Sequence, residues 1–147
     1  MVASLPEIVL YLHPVWQVAA LLLMGIGLSI GLRLHRERNL PWDPAVRAAL
    51  VKRHLAVTAT FLGMLTAGHV MGLITMAYVR HKPLFRSAHA YFGTIALALF
   101  WLGAVYGAKL ARGGSLTARD YSNHAFCVLL GALLALAVAV MGYTLLP

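Results

Sequence analysis

Acidic side chains are scarce in this chain: among 147 residues there are four, Glu7, Glu37, Asp43 and Asp120, against twelve Lys and Arg. All four stand near the ends of long apolar stretches or between them. No carboxylate is therefore placed at mid-stretch, where an ion carrier or proton relay would keep one. Cysteine is scarcer still. Cys127 alone rules out an internal disulfide and any zinc site built from several thiolates, and it reads as a small packing residue. Charge of either sign amounts to 11% of residues against 61% hydrophobic, with mean hydropathy +0.81, and a water-soluble domain of this size has no need of so little charge.

What fills the chain instead is four runs without Lys, Arg, Asp or Glu: Ile8 to Leu32, His54 to Val79, Ser87 to Ala108 and Tyr121 to Pro147. Each exceeds the roughly 20 residues a helix needs to cross the hydrocarbon core, where only helices and closed barrels satisfy their backbone groups. The runs do not alternate apolar with polar residues, which argues against a barrel. The expected fold is all-α, a transmembrane up-down four-helix bundle in a single domain over 1–147, with helices at about 8–33, 45–79, 86–110 and 119–146. The first run is too long for a cleaved leader and has Arg33 and Arg36 behind it, so it is expected to stay as helix one.

A net charge of +8 invites a nucleic-acid reading, but the positions of the basic residues speak for a membrane. Arg33, Arg36, Arg38, Arg47, Lys52 and Arg53 border the first connection and Lys109, Arg112 and Arg119 the third, while the other face has only Arg80, Lys82 and Arg86. Membrane lipid is thus the expected partner, with no nucleic acid. The excess of Lys and Arg makes the first face cytoplasmic and puts both termini on the non-cytoplasmic side.

Pro41 and Pro44 make the first connection a firm break, and His35 within it reads as a solvated loop histidine. Gly113-Gly114-Ser115 is a second break, followed by Thr117 as a candidate helix cap. His13-Pro14 is expected in the first turns of helix one, where a missing amide is tolerated. Gly25, Gly27 and Gly31 give that helix a thin side, for close helix packing or for a flat macrocycle.

The chemistry is carried by histidine. His13, His54, His89 and His124 each stand near the start of one apolar run, and an imidazole is costly in hydrocarbon but a common metal ligand. Helices in a serial bundle alternate direction, so His13 and His89 fall at the outer end and His54 and His124 at the inner end. Each pair comes from non-consecutive helices and can clamp one haem iron between two axial nitrogens, which suits electron transfer. Zinc or copper is a poorer match, because a pair of neutral histidines offers no charge-balancing carboxylate or thiolate. The expectation is two haem b groups, one at each depth.

At these residues the chain resembles the cytochrome b561 family, a four-helix di-haem transmembrane core. The resemblance rests on His13-Pro14 before an apolar run, a basic residue beside His54, Ser87-Ala88-His89-Ala90-Tyr91-Phe92-Gly93, and His124 before a Gly-containing helix. It covers nearly the whole chain and implies the same haem pairing. The family's flanking helices are missing, Lys52-Arg53 stands directly before His54 in place of a lysine one turn earlier, and the inner loop lacks a clear ascorbate-binding set. A quinol or quinone, or a partner redox protein within a larger membrane complex, is the expected electron partner. A bacterial inner membrane or a thylakoid is the expected location.

His69, on the outer half of helix two, is ranked first as a hydrogen-bonding residue beside the haem or a quinone, then as an alternative ligand, then as packing. Lys52, Arg53 and Arg86 are candidates to neutralise haem propionates or to anchor the helices at the surface. If the chain is an enzyme, it is a transmembrane oxidoreductase. The competing class is a haem-free or mono-haem structural subunit of a larger complex, for which the many glycines suit helix contacts.

Overall fold

The computed structural model describes residues 5–81, 83–112 and 117–145. The Gly113-Gly114-Ser115 break and Lys82 lie outside them. The described residues form four long helices and no strand: α1 (Leu5–Arg36), α2 (Pro44–Ile74) continuing into a π-helical turn (Thr75–Val79), α3 (Ala88–Arg112) and α4 (Ala118–Tyr143). Each is long and apolar enough to cross a membrane.

Local chemistry sets the helix ends. Asp43 caps α2, its carboxylate accepting from the Ala45 amide at 2.8 Å, with Pro44 in the first position where its lost N–H is harmless. The preceding loop is tied down by Arg33, which lies over the Trp42 ring at 5.3 Å and pairs with Glu37 at 3.3 Å. Thr117 caps α4 through a reciprocal box with Asp120, and Lys109 at the end of α3 reaches the same carboxylate at 2.6 Å. One buried acid thus closes the α3–α4 connection.

Several boundaries differ from the sequence expectation: α1 runs on to Arg36, so His35 lies in its last turn and not in the loop, and α3 runs on to Arg112. Helix three starts at Ala88 rather than near 86, because Phe85 takes a left-handed backbone (φ 58°) and the Ser87 hydroxyl then accepts from the Ala90 amide. Helix four ends at Tyr143, where the Thr144 amide turns back to the Val140 and Gly142 carbonyls. Helix one begins at Leu5, so Pro14 sits inside it, not in its first turn. There the proline does take away an amide that the helix would otherwise use.

The helices pair as two hairpins: α1 lies along α2 and α3 along α4, while the α2–α3 seam is much sparser. A central layer joins them, built from Ala20, Met24, Phe61, Leu62, Phe100, Ala132 and Ala135. Phe61 and Phe100 meet edge to face at 4.8 Å across that seam. The outer surface is apolar along the length of the bundle, with Leu22, Val105 and Leu133 each about two-thirds exposed (67%, 64% and 68%). Such a continuous apolar exterior would be unstable against water and is matched to lipid, so the chain is a membrane protein.

Candidate functional site

Each of the four run-starting histidines is clasped by the neighbouring helix of its own hairpin. The Nδ1–H of His13 donates to the Gly68 carbonyl at 2.8 Å, and that of His54 to Gly27 at 3.1 Å. In the second hairpin His89 donates to Val138 at 2.9 Å and His124 to Gly103 at 2.8 Å. One turn beyond each acceptor stands a glycine on which the imidazole lies. A Cβ added at Gly72, Gly31, Gly142 or Gly107 would come within 2.7–3.0 Å of the Cε1 of His13, His54, His89 or His124 respectively. Glycine is required at these positions because the ring occupies the side-chain space.

The clasp follows one spacing rule. Positions 13, 54, 89 and 124 are histidine; 27, 68, 103 and 138 are the acceptors; 31, 72, 107 and 142 are glycine. Each histidine therefore precedes its own helix's acceptor by 14 residues and the glycine by 18, and 18 residues are five turns, about 27 Å, which returns to the same helix face. Every helix offers a histidine at its start and a cradle at its end, and antiparallel neighbours exchange the two. Acceptors and cradles are the functional residues that the histidine pattern alone does not reveal. The signal that finds them is the fourfold His-x13-Gly-x3-Gly spacing, with Val138 as its one departure.

The hydrogen bonds set the chemistry of the rings. A carbonyl only accepts, so Nδ1 carries a proton in all four histidines and Nε2 is the nitrogen left for a metal, the arrangement of a ligating imidazole held by a backbone oxygen. No Nε2 partner for these four rings occurs among the described residues. At the outer end the His13 and His89 ring centres are 6.1 Å apart with planes at 87°. Two imidazoles sharing one metal, at about 2.0–2.1 Å per bond, place their ring centres roughly 6 Å apart. The donor set and this ring spacing are therefore compatible with two imidazoles on one metal ion. At the inner end His54 and His124 hold the corresponding positions of the two hairpins.

The other candidate residues are placed differently. His69 is turned to α3, with Nε2 3.2 Å from the Thr94 hydroxyl. Lys52, Arg53 and Arg86 are exposed and are not brought against the histidines; the ion pairs among the described residues are Arg33–Glu37 and Lys109–Asp120. Among the described residues no three His, Cys, Asp or Glu side chains converge. Of the three glycines of the α1 thin side, Gly27 and Gly31 make close approaches to α2, while Gly25 faces open space. The chain matches no family model, no curated protein and no solved structure.

Proposed function

We propose that this protein is a di-haem b-type cytochrome, similar to the cytochrome b561 core, that carries electrons across a membrane. The observation that carries this reading is the paired supply of histidines with a free Nε2 at each end of the bundle, above all His13 and His89 at 6.1 Å. A haem held at each end, by His13 with His89 and by His54 with His124, would supply a one-electron couple. The chain's own residues do the rest. Backbone carbonyls orient the four imidazoles and raise their basicity, cradle glycines admit the rings, and the apolar helices keep water out. Lys52 and Arg53 on the inner side and Arg86 on the outer are the cations available to propionate groups.

The electron source consistent with an apolar exterior is a membrane quinol, which on oxidation to the quinone gives up two electrons, one at a time, and two protons. The acceptor is a partner redox protein on the opposite side. Nine basic residues orient the inner face to the cytoplasm and both termini away from it, in a bacterial inner or thylakoid membrane. The test is iron stoichiometry with a reduced-minus-oxidised spectrum of the purified chain. Two irons per chain and low-spin b-type bands are expected, and His89→Ala and His54→Ala should each leave one. Zero iron in the purified chain would leave the structural-subunit reading in its place.

A further inference from the structure

His69 is a histidine that the bis-histidine scheme does not use, and its proton can be located. The Thr94 hydroxyl has one hydrogen and donates it to the Ala90 carbonyl at 2.9 Å, so toward His69 Nε2 at 3.2 Å it can only accept. The His69 proton therefore sits on Nε2, and Nδ1 presents a lone pair. This tautomer is the reverse of that in the four clasped rings. The Nδ1–Cε1 edge of His69 faces Gly93, where a Cβ would stand 3.9 Å from both atoms and 3.6 Å from Val138 Cγ1, so the space over that edge admits one more group in ordinary contact.

An acceptor in apolar surroundings without a donor is unfavourable, and His69 Nδ1 has none among the described residues. A second unpaired acceptor, the buried Oε1 of Gln17, occurs at the same depth, where Gln17 lies against Gly68 beside His69. Both groups lie toward the outer end. It lies on the sparse α2–α3 seam, and Val70, Ile74, Phe92 and Ile95 are exposed on the same stretches of the two helices. No Lys or Arg occurs from His54 to Val79 or from Ser87 to Ala108, so neither run carries a cation beside His69. Gly93 is one turn from His89 on the same face of α3.

We infer that the outer end of the α2–α3 seam is a binding slot for a neutral, membrane-soluble hydroquinone, with His69 Nδ1 accepting a hydroxyl proton in a hydrogen bond and Gly93 leaving room for it. This deepens the quinol reading above and rests on it for the purpose of binding, though not for the binding itself. His69 is a positioning residue in this scheme, and Thr94 sets its tautomer.

The experiment is equilibrium binding of a short-chain quinol to the full chain in nanodiscs, together with the KM and kcat of quinol-driven haem reduction. His69→Leu and Gly93→Ala should each weaken binding and raise KM about five- to tenfold, the worth of one neutral hydrogen bond, with kcat, iron content and low-spin spectrum unchanged. Thr94→Val should have a smaller effect in the same direction, and Gly63→Ala, whose added Cβ meets nothing within 4 Å, none. Unchanged binding in both His69→Leu and Gly93→Ala overturns the slot. A high-spin signal in His69→Leu makes His69 an iron ligand, and iron loss in Gly93→Ala puts the macrocycle over Gly93; either result also overturns it. Residue-dependent quinol binding by a chain without iron would keep the slot and remove the cytochrome reading.

Discussion

The two hairpins solve one problem with slightly different parts. In α1–α2 both acceptor positions are glycines, Gly27 and Gly68, whereas in α3–α4 one is Gly103 and the other Val138. All four cradle positions remain glycine. The difference separates two roles that glycine could otherwise hold at once. An acceptor contributes only its carbonyl, which any residue has, so glycine there answers to the helix facing it: Thr58 and Val57 at Gly27, Trp16 and Gln17 at Gly68, Val128 at Gly103. A cradle contributes empty space for an imidazole.

That separation breaks most visibly at a cradle. Gly142→Val or Gly31→Val should expel the His89 or His54 ring and destabilise the bundle by about 2–3 kcal/mol, read by thermal unfolding in detergent, and on the proposed di-haem reading should remove one of the two haems, read by iron analysis. An unchanged haem content would show that the ring does not depend on the glycine. Gly68→Ala should cost about 1–2 kcal/mol through its 2.8 Å approach to Trp16 and Gln17. Val138→Gly should cost about 1 kcal/mol, from helix propensity, and on the proposed di-haem reading should leave the iron content unchanged.

Four apolar helices and four histidines could be read from residue types, since hydrocarbon solvent and a shared ligand position each leave a side-chain signature. The partners could not be read so directly. The carbonyls of Gly68 and Val138 belong to the backbone, and no residue type announces that its oxygen will be used. The cradle glycines were visible only as members of a crowd of thirteen, in which Gly25 and Gly63 meet nothing. His69 was recognisable as odd, but the placement of its proton depends on Thr94 and Ala90 across a helix interface.

Smaller effects sharpen the comparison further. Lys109→Met should weaken only the second hairpin, by at most about 1 kcal/mol, because its ammonium is more than half exposed although Asp120 is buried. Gly25→Ala and Gly63→Ala should raise thermal stability by about 0.4–1 kcal/mol, since an added methyl meets no atom and the unfolded chain loses freedom. Destabilisation by either would mean that a partner covers that face.

The edge-to-face Phe61–Phe100 contact and the alanines, leucine and methionine around it form a layer without a polar side chain, midway between the two histidine levels. A file of water needs polar neighbours to hold it, and this layer offers none. This layer therefore offers a proton no relay. On the proposed electron-transfer reading, an electron crossing it would travel unaccompanied, and each turnover would charge the membrane like a capacitor plate.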